Sequence, residues 1–315
     1  MDVLTHLSTG VLWAVFASIV GLILFLDLFV FHKKSEEPSI KETLKICASY
    51  VIVALLFGLF VIFEKGKDVG FLYYTGYLVE FSLSMDNIFV ISLVFSALRI
   101  PSCYQHRVLF WGVLGAIFMR ATMILLGAQL VESFHWILYV FSAFLIYTGI
   151  KMLVKKEEQE DITDNKVMRF LKRFMPVTPH LHGEHFFVKS EHKVVMTPLF
   201  LALMTVELMD VIFAVDSIPA IFLITQDIFV VYTSNIFAIL GLRSLYFLLA
   251  AAVNRFVYLK QALSCILIFI GLKIFLPHVG IEITNSLSLM TTFFLLAFGV
   301  LASLWRTNYL IRIKK

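Results

Sequence analysis

Long unbroken apolar stretches alternate with short polar segments along this chain, and the stretches have the length of membrane spans. Neither the two-residue alternation of a half-buried strand nor the one-sided stripe of a soluble helix recurs. A run of about 18 or more apolar residues is what a helix needs to cross bilayer hydrocarbon. The pattern predicts nine such helices, near 9–31, 44–63, 70–97, 107–130, 134–154, 198–224, 228–252, 256–276 and 286–305. The expected fold is an all-α polytopic membrane protein. Two N-terminal spans (1–63) precede a group of three (64–154), a substantial loop (155–197), a second group of three (198–277) and a last span with its tail (278–315).

Two of these apolar runs are interrupted by acids. "YLVEFSLSMDNIFV" (77–90) carries Glu80, Asp86 and Asn87, and "ELMDVIFAVDSIPAI" (207–221) carries Glu207, Asp210 and Asp216. The runs align without gaps, Glu80 on Asp210 and Asp86 on Asp216. Further along, "GAIFMR" with Arg120 matches "AILGLR" with Arg243, and "YTGIKML" with Lys151 matches "FIGLKIF" with Lys273. Spans 3–5 therefore repeat as spans 6–8. An odd number of helices per copy turns the second copy over, which predicts an inverted-topology repeat with its site near mid-membrane between the copies.

Composition agrees with spans: 60 % of residues are hydrophobic and 15 % charged, where a soluble domain carries about 25 % charged. Basic residues collect in 32–43, 98–106, 155–197, 253–255 and the tail after 305, while the other side has Lys65, Lys67 and Lys273. The positive-inside rule then places the N-terminus outside and the C-terminus in the cytoplasm, as an odd number of spans requires. This segregation accounts for the net charge of +4. The expected partner is the lipid bilayer, not nucleic acid. The first apolar run lacks a basic n-region and is too long for a signal peptide, so it reads as a retained span. Cys47, Cys103 and Cys265 are scattered and suggest neither a disulfide framework nor a zinc site. His180, His182 and His185 fit no standard zinc spacing and read as part of a solvated cytoplasmic loop.

A carboxylate in hydrocarbon is costly unless paired or hydrated, so such residues face a cavity and mark an ion or proton path. Arg120 and Arg243 cannot neutralise all five acids. Glu80 and Asp86 are separated by about 600° of ideal helix, so they converge only if the helix unwinds. Pro219 supplies a reason in the second copy, because its missing N–H frees the carbonyl of Val215 beside Asp216. Unwound backbone of this kind provides oxygen ligands in transporters. The first copy has Ser82, Ser84 and Asn87 but no proline. Glu207 lies three before Asp210, on the same helical face. The candidate ligands are hard oxygens: the five carboxylates, Asn87, Ser217, Asn235 and freed carbonyls. They suit Mn²⁺, Mg²⁺ or Ca²⁺ better than Zn²⁺ or Cu⁺. Met85 and Met209 precede acids; as thioether ligands they would favour Mn²⁺ over Mg²⁺, though packing is the commoner use of membrane methionines. Asp27, near Lys33 and Lys34, fits an interfacial ion pair and an entrance role equally well.

These strings, together with "TSNIFAILGLRSLYFLL" and "EHFFVK", resemble the TerC family of bacterial integral membrane proteins, in particular its Alx branch, over nearly the whole chain. The resemblance implies Mn²⁺ export from the cell across the inner membrane, a historical association with tellurite resistance, and a metal path lined by Glu80, Asp86, Glu207, Asp210 and Asp216. The expectation is a transporter, not an enzyme, that exports a divalent cation, Mn²⁺ first, without a tightly bound cofactor. Asp86 and Asp216 would be central ligands, and Glu80 and Asp210 would complete the shell or take protons. Glu207 would accept protons, and Arg120 and Arg243 would hold the unoccupied carboxylates. Clustered carboxylates share protons that metal entry expels, which makes proton antiport the expected coupling. The alternative is a non-transporting scaffold for stress-resistance assemblies, docking through 155–197. An intramembrane aspartyl protease would require a GxGD motif, which the chain lacks.

Overall fold

In the computed structural model, residues 7–29, 40–154, 177–178, 181–190, 193–250, 258–279 and 281–313 are described. The charge run after Lys155, the segment "VMRFLKRF" and His180 lie outside the described residues. The elements are helices α1 (Thr9–Phe29), α2 (Ile40–Lys65), α3 (Lys67–Ala97), α4 (Ser102–Ser133) and α5 (Ile137–Val154), then a hairpin of β1 (Phe187–Ser190) and β2 (Lys193–Met196). Helices α6 (Pro198–Ile224), α7 (Ile228–Leu240), α8 (Leu242–Ala250) and α9 (Leu259–Lys273), a 3₁₀ turn (Leu276–Val279) and α10 (Asn285–Ile313) complete the chain. The protein is a polytopic all-α membrane protein.

Among the described residues, seven helical stretches are long and apolar enough to cross a membrane. Two of the nine expected spans are not among the seven. Helix α3, at 31 residues, is long enough to cross, and its side chains at 85, 86 and 89 lie outside the described set. Helix α9 has 15 described residues, about 22 Å at 1.5 Å per residue. The packing is that of a protein in lipid, with polar groups inside and large apolar side chains outside. Phe118 is 72 % exposed while Arg120, two residues on, is 1 % exposed. Contiguous exposed apolar surface of this extent marks a face made for a membrane.

Helix boundaries follow local chemistry. Gly66 alone joins α2 to α3, at φ +91°, a conformation that favours glycine. The two arms are fastened along their length by Tyr73 and Tyr74, whose hydroxyls donate to the carbonyls of Ala54 (3.0 Å) and Leu55 (2.7 Å). Thr197 caps α6, accepting from Phe200 N at 3.4 Å, with Pro198 at the first helical position. Asp227 caps α7, accepting from the amides of Phe229 and Val230.

The expected unwinding beside the acids is not observed. Helix α6 runs unbroken through Pro219, and α3 runs unbroken through Glu80 and Asp86. A proline deletes one donor, but in a bilayer each further freed backbone group would go unsatisfied, which favours keeping the rest of the ladder. The Cα positions of Glu80 and Asp86 therefore stay about 120° apart around α3. The break that does occur, at Gly241 between α7 and α8, was not expected.

The most extensive helix contact, between α5 and α9, is reciprocal. A Cβ at Gly149 would lie 2.8 Å from the carbonyl of Ser264 and 2.7 Å from Ile268, and one at Gly271 would lie 2.8 Å from the carbonyl of Ser142 and 2.8 Å from Ile146. Gly149 and Gly271 hold the same place in "YTGIKML" and "FIGLKIF", and the partner residues are separated by the same sequence offset. Reciprocal contacts of this kind are what a local two-fold axis between antiparallel helices produces. Such small-residue contacts let membrane helices approach closely. Gly149→Val and Gly271→Val are each expected to destabilise the protein by about 1–3 kcal/mol. Gly21, with nothing within 4 Å of a Cβ, should tolerate the same change. Thermal unfolding in detergent, read by size-exclusion, checks the contrast.

Candidate cation-binding site

Three helices converge on one buried guanidinium. Helix α3 presents Glu80, Ser84 and Asn87 at i, i+4 and i+7, and α6 presents Glu207, Asp210 and Ser217 on one face. Helix α4 inserts Arg120 between them. Its Nη1 donates to Glu80 Oε1 and to Ser217 Oγ, both at 2.7 Å, and its Nε and Nη2 donate to the two carboxylate oxygens of Asp210 at 3.2 and 3.1 Å. Asn87 Nδ2 adds a bond to Asp210 Oδ1 at 3.3 Å. The planar fork of arginine suits this two-point grip on a carboxylate. One cation set against the buried carboxylate of Glu80 and the partly buried one of Asp210 leaves the cluster short of positive charge.

A pocket adjoins the cluster on the side of the β-hairpin. It is lined by Asn87 and Ile91 of α3, Leu109, Gly112, Val113 and Ala116 of α4, Val206, Glu207, Met209, Asp210 and Phe213 of α6, and Ile239, Leu242 and Arg243 of α7 and α8. Its polar atoms are few, and some are unmatched: Asn87 Oδ1 and Glu207 Oε1 are buried and have no hydrogen-bond partner among the described residues. Glu207 lies against a notch made by Gly112 and Gly115, where a Cβ at Gly115 would collide with the carboxylate. Ser84 Oγ and both amide atoms of Asn235 are buried and unmatched in the same sense, but neither residue lines this pocket.

The other end of the bundle is filled. Trp13 packs edge-on against Phe229 (5.1 Å), Phe57 lies 4.8 Å from Phe237, and Phe16 lies 5.7 Å from Phe237. Lys65 is ion-paired with Asp227 above them.

Glu80, Asn87, Arg120, Glu207, Asp210 and Ser217 are thus brought together. Asp86 and Asp216 lie on α3 and α6, with side chains outside the described set. Among the described residues no three acids, histidines or cysteines close into a metal cage. Among the described residues Arg243 is paired with Asp27, to which Tyr50 donates at 3.2 Å, and with none of the repeat's carboxylates. Asp27 is accordingly a buried partner of Arg243; Lys33 and Lys34 lie outside the described residues. Sequence reading missed Tyr50 and the glycine notch. The "GVLG" at 112–115 was the available signal for the notch.

The fold and this acid–arginine cluster define a multi-span membrane protein with charged groups buried between α3, α4 and α6. The chain belongs to the TerC family: the model of the integral membrane protein TerC family matches residues 65–309. A membrane protein of Rickettsia felis is 46 % identical over 296 residues, covering 94 % of this chain and 98 % of its own. One of Myxococcus xanthus is 45 % identical over 309 residues, covering 98 % and 97 %. An Escherichia coli K12 protein described as a membrane-bound redox modulator, Alx, is 41 % identical over 314 residues, covering 96 % of each chain. No solved structure matches the chain.

Removing Arg120 leaves two buried carboxylates facing each other without a counter-charge. Arg120→Gln is expected to cost about 3–5 kcal/mol, and adding Asp210→Asn should recover part of that loss. Chemical denaturation of the detergent-solubilised variants measures both.

Proposed function

We propose that this protein exports a divalent cation, Mn²⁺ first among them, across the bacterial cytoplasmic membrane. The observation that carries this reading is Arg120, buried between Glu80 and Asp210, beside a pocket that holds the unmatched oxygens of Glu207 and Asn87. A guanidinium clamped between acids from α3 and α6 sits where a metal ion would draw the same ligands. Entry of a divalent cation would release it. The oxygen-only chemistry of these groups suits Mn²⁺ and other hard cations, and Met209 in the pocket wall adds a soft atom that Mn²⁺ accepts more readily than Mg²⁺ does. Asp86 and Asp216 are assigned as further ligands. Metal entry among shared carboxylates displaces protons, so export is coupled to proton antiport.

The reciprocal α5–α9 contact supports an inverted repeat of spans 3–5 and 6–8, and the segregation of basic residues supports an N-terminus outside and a C-terminus in the cytoplasm. On that orientation the pocket faces the cytoplasm, the side from which an exported ion enters, and the aromatic packing with Lys65–Asp227 closes the exit side.

A scaffold reading has one observation in its favour, the exposed Phe187 and Val194 on the hairpin. It requires hairpin substitutions to abolish function and acid substitutions to spare it. The redox description of the Alx relatives meets three cysteines on α2, α4 and α9 that are free among the described residues.

The deciding measurement is Mn²⁺ efflux from proteoliposomes, with and without an imposed proton gradient. Asp86→Asn, Asp216→Asn and Glu207→Gln, at equal protein content, are each expected to lower the initial rate by about tenfold or more. A chain that moves no Mn²⁺, or acid variants that match the intact rate, would overturn the proposal. A rate indifferent to the gradient would remove the antiport alone.

A further inference from the structure

Arg120 and Arg243 hold matching places in "GAIFMR" and "AILGLR", yet they are engaged differently. Arg120 grips the site acids and the hydroxyl of Ser217. Arg243 is instead paired with Asp27 of α1, whose carboxylate also accepts from Tyr50 of α2. Neither α1 nor α2 belongs to the repeated segments, so an element outside the repeat sets the two arginines apart.

Arg243 nonetheless lines the pocket. Its Nε is a buried donor with no hydrogen-bond partner among the described residues, and the pocket also holds two buried acceptors in the same condition, Asn87 Oδ1 and Glu207 Oε1. Buried donors and acceptors are rarely left unmatched. Asn87 also corresponds in the aligned strings to Ser217, the residue Arg120 uses. The unmatched donor and acceptors belong to one cavity and complement one another.

We propose that Asp27, aided by Tyr50, is a positioning residue that holds Arg243 out of the cation's pocket, and that Arg243 has a second berth on Asn87 and Glu207. With Arg243 on Asp27 the pocket is short of positive charge and admits a cation. With Arg243 on Asn87 and Glu207 the pocket carries its own cation and refuses another. The consequence for transport rests on the exporter reading; the two berths do not.

The test reads pocket charge directly. In the full chain, with Cys47, Cys103 and Cys265 replaced by Ser, Val113→Cys places a thiol in the pocket wall. The rates of its modification by a positively charged and a neutral thiol reagent of similar size are compared. Asp27→Asn should slow the charged reagent relative to the neutral one by about tenfold, and Asp27→Asn with Arg243→Gln should restore the ratio. Tyr50→Phe, which leaves the ion pair in place, should shift the ratio in the same direction by less, and it carries the test if Asp27→Asn does not fold. A ratio unmoved by both Asp27→Asn and Tyr50→Phe, or one still lowered in the double variant, overturns the proposal. Mn²⁺ efflux is measured in parallel, lost in Asp27→Asn and partly recovered in the double variant. If the thiol ratios behave as expected while the intact chain moves no Mn²⁺, the berths stand and the exporter reading fails.

Discussion

The structure depends on a guanidinium buried where water cannot reach it. Arg120 joins α3, α4 and α6 through Glu80, Asp210 and Ser217, and each partner would be expensive to bury alone. None of the three helices can rotate about its axis without exposing a charge to hydrocarbon. The cluster thus fixes helix rotation, which apolar packing specifies poorly because lipid tails and leucine side chains are equally apolar. Fixing rotation in turn sets Glu207 against the glycine notch and turns Asn87 toward Asp210.

Around this centre the two ends of the molecule are built differently. The hairpin end leaves a pocket with a few polar atoms in apolar walls. The opposite end is filled by rings from α1, α2, α3 and α7 and tied by Lys65 and Asp227. The repeated strings share two acids, an arginine and the glycines Gly149 and Gly271, but Glu207, Gly115 and Gly241 fall opposite Tyr77, Ala238 and Phe118. Further asymmetry comes from α1 and α2, which supply Trp13, Phe16, Phe57 and Lys65 to the filled end and Asp27 and Tyr50 to the arginine beside the pocket.

The apolar runs revealed the helices and the acids pointed to the candidate site, because both signals lie within single segments. Glu80, Asp210, Glu207 and Arg120 stand out in any reading as charges inside hydrocarbon-length helices. The pairing of Asp27 with Arg243 did not stand out, since the two residues are far apart in sequence and only helix rotation and packing bring them together. Lys33 and Lys34, a few residues from Asp27, offered a nearer explanation. Pro219 misled for another reason: proline weakens one backbone bond, and whether a helix yields there depends on the solvent around it. The hairpin at 187–196 was hidden among polar residues with no strong alternation, and Gly112 and Gly115 were overlooked because the glycines of a membrane helix reveal their use only through what packs on them.

The turn at Gly66 has a mechanical consequence. Helices α2 and α3 have 26 and 31 residues, arms of about 39 and 46 Å at 1.5 Å per residue, joined by a single residue. A change of about 10° at such a joint moves the far tip of the longer arm by about 8 Å on that geometry. A joint with that leverage is a poor place to define an angle. The angle is defined instead by the hydroxyls of Tyr73 and Tyr74 on the carbonyls of Ala54 and Leu55. The two helices are therefore better regarded as a single splinted beam, in which α2 and the acid-bearing α3 tilt together.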